Sequence, residues 1–281
     1  VNGKYGYIDR NGNIAITPQF DWAEDFSESL ARVRIGDYET GKYGFIDKNG
    51  NIVISPQFEW AEDFAEGMAK VRIGNDETGK WGYIDKGGKF VADPQFDMAE
   101  DFAEGLARVK IGDDETGKWG YIDKNGKFAI TPQFDMAADF AEGLARVEVD
   151  GINGYIDKNG NIVIAPQYDW AADFAEGMAW VEIDGKKGYI DKEGKTVCAL
   201  QFDQADDFAE GLAKVKIGDD NTGKWGYIDR NGDIVIKPQF DDAWQFSEGI
   251  ATVRAGTKYG FIDKNGRLVI KPQYDMAGYF S

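Results

Sequence analysis

Apolar and polar residues alternate over short runs along the whole chain. "LARVEV" (Leu144 to Val149) places every second side chain on one face, the period of a half-buried strand. "WGYID" and "KFAI", between Trp119 and Ile130, are two further runs rich in aromatic and β-branched residues. The tight turn between them contains Gly126, which can take φ > 0. Asp150-Gly151 is a two-residue hairpin signal, so these runs form a three-stranded meander. The segment "PQFDMAADFAEG" (Pro132 to Gly143) is too short and too closely bounded by Pro and Gly for a stable helix. It reads as a fourth short strand or a structured loop. No segment supports a long helix.

The same unit recurs eight times. Phe26, Phe64, Phe102, Phe140, Phe174, Phe208, Phe246 and Phe280 mark it at spacings of 38 or 34 residues. The extra four residues fall in segments such as "IGDDETGKWG" (Ile111 to Gly120), which places the insertion at a hairpin tip. Proline keeps one place, at Pro18, Pro56, Pro94, Pro132, Pro166, Pro238 and Pro272, with Leu200 in the sixth copy, and marks a boundary because it cannot donate to a ladder. The reading is a single all-β repeat domain over 1–281, with units near 1–40, 41–78, 79–116, 117–150, 151–184, 185–222, 223–255 and 256–281.

Eight such units bury their faces either as a closed eight-bladed, propeller-like ring or as an open β-solenoid. Unit order favours the ring. The chain ends on a first strand and begins on the tail of a second one, so one blade assembled from both ends is expected to close it. The start at Val1, without Met or a leader-like segment, suggests a trimmed or processed chain.

Composition narrows the function. The chain has 281 residues, and 50 acidic against 32 basic side chains give a net charge of -18, which repels phosphate backbones and anionic bilayers. No nucleic-acid partner is expected. No apolar run approaches the roughly 18 residues of a membrane-spanning helix, so no membrane insertion is expected either. With Cys198 the only cysteine and no histidine, an internal disulfide, a Cys/His zinc site and His-based acid-base chemistry are excluded.

Lys-Trp-Gly-Tyr-Ile-Asp at 118–123 and 224–229, then Asn-Gly or a similar turn, Pro-Gln-Phe/Tyr-Asp and Phe-Ser/Ala-Glu-Gly, resembles the WG-repeat family of mainly bacterial proteins. The resemblance covers essentially the whole chain. It departs from the family pattern at Tyr5, Tyr43, Tyr259, Asn153 and Lys187 in the Trp slot, and at Leu200. It implies a β repeat, often in surface-associated proteins, with no catalytic residues and no cofactor to carry over. An extracellular or cell-surface location is the corresponding expectation.

Residues present in every copy read as structural. The Asp of each "YID" (Asp9 through Asp263) can accept N–H bonds across its turn. The Glu before Gly (Glu28 through Glu248) and the Gln after Pro (Gln19 through Gln273) read as buried ties between units. The Trp119 slot, at the start of a strand, should cap packing between units with one end near water. The tip carboxylates Asp37, Asp76, Asp113, Asp114, Asp219 and Asp220 offer oxygen ligands for Ca²⁺, but they lack the spacing of a helix-loop-helix calcium site and read as solvated turns.

A different slot varies. Trp22, Trp60, Met98, Met136, Trp170 and Met276, with Gln204 and Asp242 in the other two copies, sit beside an unchanging Ala and Phe. A position that accepts such different side chains is expected to be exposed. Aromatic and Met side chains there suit a binding surface for protein or glycan, and the alternative is that they cover joints between units. The chain therefore reads as a non-enzymatic scaffold. Alternatives are a subunit of a homo-oligomeric surface assembly or filament, and a carboxylate glycosidase using unit-specific residues such as Asp93, Asp233 and Asp242.

Overall fold

The computed structural model describes residues 3–75 and 77–278, so the tip residue Asp76 and the last repeat marker, Phe280, lie outside the described residues. It divides into two compact units, Val1–Asp139 and Phe140–Ser281. The described residues contain no helix, and they form eight antiparallel sheets, seven of four strands and one of two.

In the first unit, β1 (Tyr5–Ile8) pairs with β2 (Ile14–Phe20). The next sheet runs β3 (Trp22–Ser27), β4 (Leu30–Ile35), β5 (Lys42–Asp47), β6 (Ile52–Phe58), each strand beside its sequence neighbour. It is followed by β7 (Trp60–Ala61), β8 (Met68–Ile73), β9 (Lys80–Asp85) and β10 (Phe90–Phe96). β11 (Met98–Ala99), β12 (Leu106–Ile111), β13 (Lys118–Asp123) and β14 (Phe128–Phe134) repeat the order. The second unit contains strands Leu144–Val149, Ile152–Asp157 and Ile162–Tyr168, then sheets from Trp170 to Phe202, Gln204 to Phe240 and Asp242 to Tyr274. The meander expected from the alternation is present. The first strand of most sheets is only two residues long, and the chain then loops to a bridge such as Ala65 with Met68.

The core lies between successive sheets. Tyr43, Phe45, Ile54 and Phe58 of one sheet pack with Ala61, Phe64, Ala69, Val71 and Ile84 of the next. In the second unit Tyr155, Ile164 and Tyr168 meet Ala171, Phe174, Val181 and Ile190 in the same way. Central strands are therefore buried on both faces, as in β5, where four consecutive residues are buried.

The glycine of each "WG" is fixed by a close approach. Between Tyr43 and Phe45 the register of β5 against β6 slips, since their partners are Phe58 and Ile54, and the surplus backbone of β6 bulges over Gly44. A Cβ on Gly44 would lie 2.5 Å from the Ile54 carbonyl oxygen and 2.6 Å from the Pro56 nitrogen. Proline suits the bulge because its missing N–H leaves no ladder bond unmade there.

Candidate functional site

Several repeated polar residues hold the repeat together. In all eight turns the "YID" aspartate Oδ1 accepts backbone N–H bonds from the residues two and four positions on, as Asp47 does from Asn49 and Asn51, both at 2.9 Å. The Glu–Gly pairs form tight hairpin turns with both residues at positive φ, 51° and 86° at Glu66 and Gly67. Side chains with a Cβ adopt this region at a cost. Glutamates of this set also reach the next sheet: Glu28 Oε2 accepts the Gly67 N–H at 2.9 Å and lies 3.0 Å from Lys86 Nζ. Glu66 with Gly105 and Lys124, and Glu176 with Gly211 and Arg230, repeat this staple. The hydrogen bond from Lys86 holds the Glu28 carboxyl below the usual range.

Two expectations are corrected here. The glutamates tie sheets together, but they are about a third exposed rather than buried. The glutamines after proline make no such tie. Ile54 and Phe58 point inward along β6, so Gln57 between them in the alternation points outward. Gln95 bonds only its own strand, to the Asp93 carbonyl. The second tie is instead tyrosine: the hydroxyl of Tyr83 donates to the Glu100 carbonyl at 2.5 Å, and that of Tyr189 to the Asp206 carbonyl at 2.7 Å.

Where the slot of "WG" holds Trp, the ring faces a cation. Arg108, third in β12, lies 5.2 Å over the ring of Trp119, and Lys214 lies 4.7 Å over Trp225. Trp119 is only 4% exposed, so the expectation of one end near water fails there, because the Arg108 guanidinium covers the ring. Asn153, in the same slot, is buried too. Its Oδ1 accepts from Arg146 at 3.1 Å and its Nδ2 donates to the Asp169 carbonyl at 3.1 Å, while Arg146 stacks on Trp170 at 5.2 Å. Where the slot holds Lys187, the aromatic has moved to the cation position as Trp180, 5.0 Å from the Lys187 Nζ.

The variable slot opens the first strand of each four-stranded sheet; its Trp and Met side chains are exposed, while Gln204 and Asp242 are half-buried. Trp22, Trp60, Met98, Met136 and Trp170 are 38–48% exposed, and Met276 is 88% exposed. The indole N–H groups of Trp22 and Trp60 donate to Glu24 and Glu62 at 2.9 and 2.7 Å. Trp60 also borders two cavities of about 420 and 450 Å³. One extends towards Trp81 and Met98, and the other towards Tyr38, Tyr43 and Glu59.

The tip carboxylates serve their own loops. Asp37 Oδ1 accepts from the Glu39 and Thr40 N–H groups and from the Thr40 hydroxyl, and Asp113 and Asp219 hold equivalent turns. Asp114 and Asp220 point outward, 3.8 Å from Lys110 and Lys216. Among the described residues no group of three or more acidic, Cys or His side chains is arranged to hold a metal ion. Of the unit-specific acids, Asp93 is exposed on β10, Asp233 donates its N–H within the Asp229 turn, and Asp242 lies 3.8 Å from Arg254.

Among solved structures the chain is similar to one described as the eukaryotic initiation factor, at 10% identity and TM-score 0.46, covering 96% of this chain and 93% of that one. Hsv2 of Kluyvelomyces marxianus is similar at 12% identity and TM-score 0.43, covering 89% and 96%. An acylaminoacyl peptidase of Pyrococcus horikoshii follows at 11% identity and TM-score 0.39, covering 90% and 52%. No curated protein matches in sequence. The model of the WG containing repeat matches at 5–38, 43–75, 81–113, 119–151, 154–186, 188–219, 225–259 and 259–281. With that pattern met in eight successive segments, each carrying the glycine under its bulge and the aspartate in its turn, the chain belongs to the WG-repeat family.

Proposed function

We propose that this protein is a non-enzymatic scaffold that binds a protein or glycan partner through the exposed aromatic and Met side chains opening its first strands. One observation carries the reading: Trp22 and Trp60 are exposed yet held in place, each indole tied to a carboxylate two residues on. A fixed aromatic loses little entropy when a partner stacks on it. The acids present in every copy are engaged in turns and staples, which supports a scaffold over a hydrolase. Four-stranded meanders that pack face to face within each unit support the reading as blades of a closed ring. Small-angle scattering tests that arrangement, with a compact disc expected and an elongated rod counting against it.

Binding is tested on protein and glycan arrays with the native chain and the Trp22→Ala, Trp60→Ala, Trp170→Ala triple variant. Loss of the native signal is expected. Unchanged binding by the folded triple variant removes the reading.

A further inference from the structure

We propose that the joint between β7–β10 and β11–β14 is a carbohydrate subsite that takes a neutral pyranose. This rests on the binding reading above and narrows it to one place and one ligand class.

The joint differs from both neighbours at the third residue of the second strand. On one side that residue is Arg32, only 8% exposed, with its guanidinium 5.7 Å from the Tyr43 ring and 5.9 Å from the Trp60 ring. It donates to the Ala61 carbonyl and, at 3.0 Å, to Glu62. On the other side Arg108 covers Trp119 and donates to the Ala137 carbonyl at 2.9 Å and to Asp139 at 2.8 Å. In both joints the planar guanidinium covers the aromatic below it, Tyr43 to 6% and Trp119 to 4% exposure, and the Arg32 joint keeps its cavity of about 450 Å³ farther along, towards Tyr38 and Glu59.

Lys70 brings an ammonium in place of that plate. It lies 5.9 Å from the Trp81 ring and turns to Glu100 at 3.1 Å and Asp101 at 3.5 Å, and Trp81 stays half-buried although the Arg72 guanidinium, from the same strand, lies 5.6 Å over it. A cavity of about 420 Å³ remains, within the usual size of small-ligand sites. The Lys214 joint is not equivalent. There the ammonium takes the place of the guanidinium at the Ala243 carbonyl, at 3.1 Å, and Gln204 and Asp242 stand where this joint has Trp60 and Met98.

The lining selects the ligand. Trp60 and Trp81 offer the indole surface that Arg32 and Arg72 leave uncovered and Met98 a thioether, surfaces suited to the C–H face of a sugar ring. Glu62 and Glu100 accept hydrogen bonds while Lys70 and Arg72 donate them, so a hydroxyl, which does both, finds partners all round. The two negative and two positive side chains cancel. That balance gives no net attraction to a sulfate, a phosphate or a free ammonium group, which leaves a neutral polyhydroxylated ring as the best match.

The test is an array of neutral, sialylated and sulfated oligosaccharides probed with the whole native chain, Lys70→Arg, Met98→Ala, and the Trp22→Ala, Trp170→Ala double variant, with melting curves as folding controls. The native chain should retain neutral pyranose glycans. Lys70→Arg should weaken that binding at least tenfold and Met98→Ala, at the exposed rim, severalfold, while the double variant keeps it. Native binding of no glycan, or only of charged ones, overturns the proposal, as does native affinity in Lys70→Arg. Loss in the double variant with full binding by Lys70→Arg also overturns it, but leaves the wider surface reading standing. If Lys70→Arg proves unfolded, Met98→Ala decides: unchanged neutral-glycan binding by that variant overturns the subsite.

Discussion

Lys187 lies over Trp180 with its Nζ 5.0 Å from the ring centroid, and in the next sheet Lys214 lies over Trp225 at 4.7 Å with the two positions exchanged. Lys187 stands in the third-strand slot that Trp225 fills, and Trp180 in the second-strand slot of Lys214. In these two joints a cation lies against an aromatic, and either strand supplies either partner. Both orders keep the ammonium bonded, Lys187 to Gln204 at 2.8 Å and Lys214 to the Ala243 carbonyl.

Exchanging the pair should therefore be tolerated. In urea unfolding, Trp180→Lys alone and Lys187→Trp alone are each expected to destabilise, and the double exchange to recover part of the loss. A coupling of about 0.5–1 kcal/mol is expected from the pair. Strictly additive losses contradict the pairing.

The cost of removing the family tryptophan should follow the cation above it. Trp119→Ala, beneath a guanidinium, is expected to cost about 3–5 kcal/mol, as for a fully buried aromatic. Trp225→Ala, half-buried beneath an ammonium, should cost clearly less. Equal unfolding midpoints for the two variants would show that the covering cation does not control burial.

Gly154→Ala should destabilise although the same unit does without the tryptophan, because the new methyl would meet the Ile164 carbonyl oxygen and the Pro166 nitrogen at 2.6 Å. The overpacking cost is about 1–3 kcal/mol, read as a lower melting temperature. A native melting curve contradicts the close approach.

Alternation, turn residues and repeat spacing made the meander and its eightfold recurrence readable from sequence, because each is a local pattern. The turn role of residues such as Asp123 was readable for the same reason. The bulge above Gly44 was not, since register depends on where the partner strand's surplus residues go. Gln57 was misassigned because its recurrence says nothing about which face it occupies. The Tyr83 tie and the open joint at Lys70 depend on the adjacent sheet. The one available sequence signal was the Arg/Lys choice at positions 32, 70 and 108, which reads as conservative until the guanidinium is seen covering the aromatic below it.

Acid should act on two kinds of carboxyl in opposite senses. Burial pushes Glu66 up, but hydrogen bonds from Lys124 and the Gly105 N–H outweigh it and hold the group below its usual range. Its staple therefore stabilises the fold above the unfolded value and is lost as pH falls through the lowered folded one. Asp207 is raised by burial and by the charges of Asp206 and Asp173, so its ionisation opposes folding, and that opposition is relieved as pH falls through the raised value. A carboxyl NMR titration should find Glu66 titrating below the usual glutamate range and Asp207 above the usual aspartate range. The reverse order contradicts both assignments.

The size and shape of the cation at position 70 are proposed to open the joint between β7–β10 and β11–β14. The most direct test is a crystal structure of the Lys70→Arg, Arg108→Lys double variant. The guanidinium at 70 is expected to fill the 420 Å³ cavity and bury Trp81, while a new cavity opens above Trp119. A structure in which Trp81 stays half-buried and Trp119 stays covered would contradict the proposal.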